Sequence, residues 1–171
     1  MLFAQDPRQM DEDCFVATFG GVYENSPWIA RQLWRQKNVP ADVETLAGAL
    51  AEIVDKSDEK KRLALIKAHP DLAGRAALAG TLTEESRHEQ TSAGLDHCTS
   101  TELEQFQDFN ERYKARFGFP FVMAVKGADR QRILAAFSAR IGNEQETELN
   151  RAVREIHKIA RLRLEEIARN A

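Results

Sequence analysis

Cysteine is scarce in this chain: Cys14 and Cys98 are the only two among 171 residues, and neither belongs to a Cys-x-x-Cys pair or a histidine-rich run. A disulfide-stapled scaffold and a zinc-finger or ribbon pattern are thereby excluded, and both thiols are expected to be reduced. Long apolar runs are missing as well. No stretch approaches the roughly 20 apolar residues that span a bilayer. The opening MLFAQDPRQMDEDC has no basic n-region followed by an apolar h-region, and the closing ARNA is neither a prenylation box nor a peroxisomal address. A cytoplasmic location with no membrane contact is the resulting expectation. Blocks of one charge sign are absent too. Lys plus Arg number 24 against 27 for Asp plus Glu, a net charge of -3 with the signs interspersed, so the basic footprint of a nucleic-acid binder is not there. No repeat, low-complexity tract or linker marks a boundary, so residues 1–171 are expected to form one domain.

What the sequence does contain is helical material. Hydrophobic residues make up 43% and charged residues 30%, as in a soluble globular protein. Apolar spacing of three and four recurs almost throughout, and cap residues stand at the breaks. Asp11 caps a helix that stops at Gly20-Gly21. Ser26-Pro27 opens a second, with serine as cap and proline at the first helical position. Asp42 precedes the stripe Val43, Leu46, Ala47, Leu50, Ile53 and Val54, and Ser57 begins a helix running to about Ala68. Pro70 disfavours α geometry at His69. After a short turn at Leu72 to Leu78, Thr83 caps a segment ending near Gly94. Thr99 and Glu102 form a capping box for a long helix closed by Gly118. The apolar run FGFPFVMAVKG, interrupted by Pro120, reads as extended or irregular. Asp129 caps a helix up to Gly142, and Asn143 begins the last and longest one. The predicted architecture is an all-α, single-domain helical bundle of roughly eight helices with a short extended segment near 119–126.

Polar chemistry is concentrated in KAHPDLAGRAALAGTLTEESRHEQTSAGLD, Lys67 to Asp96. Ser86, Glu89 and Gln90 stand at i, i+3 and i+4, so hydroxyl, carboxyl and amide share one helical face. That face is either solvated or a set of directed hydrogen bonds for a small polar ligand. His69, at a helix exit before proline, is either a proton carrier near neutral pH or an imidazole stabilised by the helix dipole. On the last helix Arg163 falls among Leu149, Val153, Ile156, Ala160 and Ile167, whereas Arg161 points away. An inward guanidinium requires a carboxylate, a group of carbonyls or an anionic ligand, because an unpaired buried charge costs several kcal/mol.

Two other readings compete. His69, Asp71, His88, Glu89, His97 and Cys98 lie within thirty residues, which raises a metal-dependent hydrolase. The spacing argues against it: there is no HExxH, and a helical His88 points roughly 100° from Glu89. Cys98 has no activating context. His69-Pro70-Asp71 after a basic helix also resembles the tripeptide of J-domain co-chaperones, a non-catalytic binding module, but LAGRAALAG follows it in place of a Lys-rich loop.

HPDLAGRAAL, LTEESRHEQTSAGLD, FNERYKARFGFPFVMAVKG and EIHKIARLRL, taken together and in this order, resemble the OHCU decarboxylases, which act on 2-oxo-4-hydroxy-4-carboxy-5-ureidoimidazoline (OHCU) in uric acid breakdown. The resemblance implies an all-helical carboxy-lyase, commonly a homodimer, that forms (S)-allantoin and CO2 without metal or organic cofactor. It implies His69 as the catalytic residue, with Glu89 and Arg163 in the active site. Pro70, Ser86, Arg87, His88, Glu89 and Gln90, and then Phe121, Val122, Met123, Ala124 and Val125, match its substrate-binding segments. On this reading Arg163 and main-chain N–H groups of 121–125 hold charged or carbonyl parts of the substrate, Glu89 and Gln90 fix its nitrogens, and Leu72, Leu78 and Leu82 support the stretch from below.

Overall fold

A computed structural model describes residues 1–170, apart from the Ala76 side chain; Ala171, the last residue of the expected domain and of the ARNA terminus, lies outside the described residues. Among them the helices are α1 (Glu12–Phe19), α2 (Trp28–Arg35), α3 (Val43–Asp55), α4 (Glu59–Ala68), α5 (Arg75–Leu78), α6 (Glu84–Ser92), α7 (Ser100–Phe117), α8 (Arg130–Arg140) and α9 (Gln145–Asn170), with 3-10 turns at Pro7–Gln9 and Leu95–His97. Eight of these are eight residues or longer, and α5 is a single turn. The described residues include no sheet, only an isolated antiparallel bridge between Leu2 and Asp42. No helix among them is long and apolar enough to cross a membrane.

Helix starts follow local chemistry. Asp11 accepts from Cys14 N at 2.8 Å and Asp129 from Arg132 N at 2.8 Å. Asp42 takes the N–H groups of Glu44 and Thr45, and Thr99 with Glu102 closes the expected capping box. Each such cap satisfies donors the helix leaves over and is worth about 1 kcal/mol. Three expected starts shift. Pro27, not Ser26, occupies the cap of α2, without a side-chain bond. Asp58 caps α4 by accepting from Lys61 N at 2.8 Å, while the Ser57 hydroxyl turns back to donate to the Val54 carbonyl at 2.6 Å. Asn143 lies before α9 and donates its side-chain amide to Glu148 at 2.8 Å.

The chain divides into two compact units, Met1–Ala68 with the chain from Ile156 onward, and His69–Glu155. In the first, α1 packs on α2, α2 on α3 and α3 on α4. Phe15, Phe19, Ile29, Leu33, Leu46, Leu50 and Val54 are buried there. The Phe19 ring meets Phe15 at 4.8 Å and Phe3 at 5.1 Å between centroids. Full burial of such side chains contributes about 1.5 to 3 kcal/mol each.

In the second unit α7 packs on α8 around an aromatic core of Phe106, Tyr113, Phe117, Phe119, Phe121 and Phe137. Phe121 stacks on Phe137 with centroids 3.8 Å apart. A buried polar network lies beside these rings. Glu148 accepts from the Tyr113 hydroxyl, from Arg140 Nη2 at 2.9 Å and from Asn143. Burial tends to raise the Glu148 pKa, but the hydrogen bonds from Arg140, Tyr113 and Asn143 and the Arg140 charge outweigh it, leaving the carboxyl below its ordinary range. Burial first, and the carboxylate second, push the Tyr113 phenol well above its usual value.

Candidate active site

Within the second unit, His69 is buried, with 7% of its surface exposed, immediately after the last residue of α4. The loop that follows is held by two helices. From α6, Gln90 accepts from Ala73 N at 3.0 Å through Oε1 and donates to the Asp71 carbonyl at 3.2 Å through Nε2. From α7, Asn110 donates to the Leu72 carbonyl at 2.9 Å, and Lys114 pairs with the Asp71 carboxylate at 2.5 Å. These bonds hold Ala73 at φ 49°, in the left-handed region that non-glycine residues seldom occupy. The His69 loop and the polar helix are thus tied together through backbone groups. Gln90, expected to fix substrate nitrogens, is engaged by the main chain at both ends of its amide.

Ser86 is buried, Glu89 and Pro70 are half-buried, and Arg87 and His88 are exposed. Arg87 and Gln90, with Leu82, Thr91 and Leu95, line a cavity of about 320 Å³, the low end of the range for small-molecule sites. His69 and Glu89 are not among its walls. Of the three expected supporting leucines, Leu72 is buried and Leu82 half-buried, but Leu78 is 63% exposed. The short α5 ends at Leu78, whose side chain is exposed and so does not support the stretch as expected.

The segment 120–125 has no regular secondary structure, as its proline and flanking glycines require. Phe121, Val122 and Val125 are buried, while Met123 and Ala124 are half-exposed. Its backbone is tethered by two side chains the sequence did not single out. Arg140 Nη1 donates to the Val122 carbonyl at 2.8 Å, and Glu155 accepts from Ala124 N at 3.0 Å. The Ala124 N–H, expected among donors to substrate, is therefore used internally. Arg140 also lies over the Phe121 ring at 4.3 Å. Glu148 and Glu155 are seven residues apart, so they share the buried stripe of α9 with Ala152, and that spacing was the available signal.

In the first unit Arg163 faces inward with 4% exposure, and Arg161 is exposed, as the helical wheel requires. Its guanidinium donates to Glu24 Oε2 at 2.9 Å and to the Gly21 carbonyl at 3.1 Å. A buried carboxylate thus matches its charge. Glu24 comes from the connection between α1 and α2, where no periodicity marks an inward residue.

Cys14 and Cys98 are free thiols. Burial first, then the Glu102 charge, raises the Cys98 pKa, which opposes thiolate chemistry. No group of three or more His, Cys, Asp or Glu among the described residues is arranged to hold a metal ion.

The comparisons with known proteins agree on the family. The OHCU decarboxylase family model matches residues 8–165 and so runs through both units. The chain is 41% identical over 165 residues to the 2-oxo-4-hydroxy-4-carboxy-5-ureidoimidazoline decarboxylase of Haloferax volcanii, covering 96% of this chain and 95% of that one. It is 36% identical over 157 residues to the protein of the same name from Xenopus laevis, covering 92% and 89%. A crystal structure of (S)-allantoin synthase superimposes with a TM-score of 0.75 at 30% identity, over 94% of this chain and 52% of that one. With near-complete coverage at this identity, the chain belongs to the OHCU decarboxylase family.

Proposed function

We propose that this chain decarboxylates OHCU to (S)-allantoin in uric acid degradation, with His69 as the proton-transferring residue. The observation that carries the reading is the clamp on the His69 loop. A buried imidazole follows α4, and the amide of Gln90, from the helix bearing Glu89, fixes the backbone just beyond it. The family match supplies the reaction.

The substrate provides its own electron sink. As the bond from C4 to the carboxylate breaks, the electron pair moves toward C5 and onto the nitrogen of the adjacent ring C=N, and CO2 departs. That nitrogen takes up a proton, C5 takes up another, and the 4-hydroxyl gives one up to become the carbonyl of allantoin. One proton is consumed overall. The protein has to orient the ring and deliver protons to one face, work for which a positioned imidazole typically contributes about 10² to 10⁴ in rate. His69 delivers the proton to C5 and so sets the configuration. Glu89 holds the ureido or ring nitrogens, and Arg163 recognises an oxygen-bearing group of the substrate. Residues 1–171 act as one domain, a reading favoured by the single family match across both units. The active species is a cytoplasmic homodimer, for which size-exclusion chromatography with light scattering is the direct measurement.

His69→Asn tests the central assignment. With OHCU generated enzymatically, initial formation of optically active allantoin should fall by about 10² or more. Turnover near wild type with stereospecificity intact would remove His69 from proton transfer.

A further inference from the structure

The connection between α1 and α2 has a property that ordinary connections lack. Loops run over the surface because their backbone needs water, yet Val22, Tyr23, Glu24 and Ser26 are all buried here, with exposures of 2, 2, 2 and 6%. The segment turns through Asn25 at φ 47°, a region that asparagine tolerates better than most residues. It is fastened to α9 at two levels. The Tyr23 hydroxyl is 2.8 Å from His157 Nδ1, and the opposite ring nitrogen of His157 is 3.1 Å from the Asp55 carboxylate. The next residue, Glu24, binds Arg163, whose second terminal nitrogen donates to the Gly21 carbonyl of the same segment. Two acceptors from one short stretch therefore define the plane of a single guanidinium.

From this geometry we infer that Glu24 is a positioning residue for the reaction. It fixes the guanidinium plane and tempers the positive charge that Arg163 presents to an anionic substrate, while the Tyr23–His157–Asp55 chain keeps the segment in register. The inference rests on the reading that Arg163 engages substrate. A decarboxylation discharges its carboxylate, so a cation that grips this group strongly stabilises the starting state more than the transition state. A neighbouring carboxylate weakens that grip, and the two acceptors set the orientation of the guanidinium.

Glu24→Gln retains an acceptor of similar shape and removes the charge. It should lower kcat by about 10-fold or more and lower KM as well, the pattern of over-stabilised substrate binding. A purely structural residue would leave KM unchanged or raise it. Because the single variant leaves a buried guanidinium without its counter-charge, which opposes folding, a second measurement uses Arg163→Ala and the double variant Glu24→Gln/Arg163→Ala, which carries neither charge. Added guanidinium ion should restore turnover to Arg163→Ala saturably, and the double variant should need at least about 10-fold more of it or show no rescue. Equal rescue of both variants, rescue of neither, or a Glu24→Gln enzyme with wild-type kcat and KM would overturn the inference. Failure of the underlying reading looks different: Arg163→Lys would then keep wild-type kcat and KM, whatever Glu24→Gln does.

Discussion

Gln90 illustrates how much one side chain can settle. Its amide satisfies the buried Ala73 N–H and the Asp71 carbonyl, and it holds the loop after His69 in a backbone conformation that alanine adopts only under constraint. Gln90→Leu keeps the volume but leaves both partners unsatisfied, which costs about 1 to 3 kcal/mol for a buried group. Urea unfolding should show that loss, and kcat should fall with it because the imidazole is no longer held in place. A variant with reduced stability and unchanged kcat would separate the loop from the chemistry. At the same scale Arg163→Lys tests recognition by a planar fork: the charge remains, the two-acceptor geometry toward Glu24 and Gly21 is lost, and kcat/KM should drop by about 10-fold or more. Sequence periodicity located Arg163 on the inward face of its helix. It gave no indication of Glu24, because a residue in a connection has no repeat that assigns it to one side.

Among the elements, the contrast lies between helices and the segment 120–125. Helix ends were readable because Asp11, Asp42, Thr83, Thr99 and Asp129 act on backbone N–H groups two or three residues away. The conformation of 120–125 depends instead on Arg140 and Glu155, roughly twenty and thirty residues further along. Arg140 is itself held by Glu148. Glu148→Gln strips the charge from this buried pair and should cost about 3 to 5 kcal/mol in urea or thermal unfolding. The pH dependence has a definite sign. Because the folded Glu148 pKa lies below its ordinary value of 4.5, its contribution is complete above that value and is lost as the pH falls through the lower folded one. Glu148→Gln should therefore show a shallower loss of stability on the acid side than the wild type. Identical acid limbs would mean that other carboxylates dominate.

For the whole molecule, one family match spans two compact units. If residues 1–171 behave as one domain, calorimetry should give a single transition whose van't Hoff and calorimetric enthalpies agree. Two resolved transitions would divide it. Turnover of OHCU should also survive treatment of the protein with a chelator, as expected when the substrate accepts its own electron pair; strict metal dependence would restore the hydrolase reading. Read along the chain alone, the residues specify the helical class, most helix boundaries, the irregular 120–125 segment and the inward direction of Arg163. These follow from interactions within about one helical turn or from a repeating spacing along the chain. Packing in three dimensions was needed to establish that Gln90 clamps the His69 loop, that Glu24 receives Arg163, that Glu155 occupies the Ala124 N–H and that Leu78 faces outward. The three polar pairings join groups separated by 17, 139 and 31 positions, and their partners are set by packing of whole elements, which no local pattern encodes.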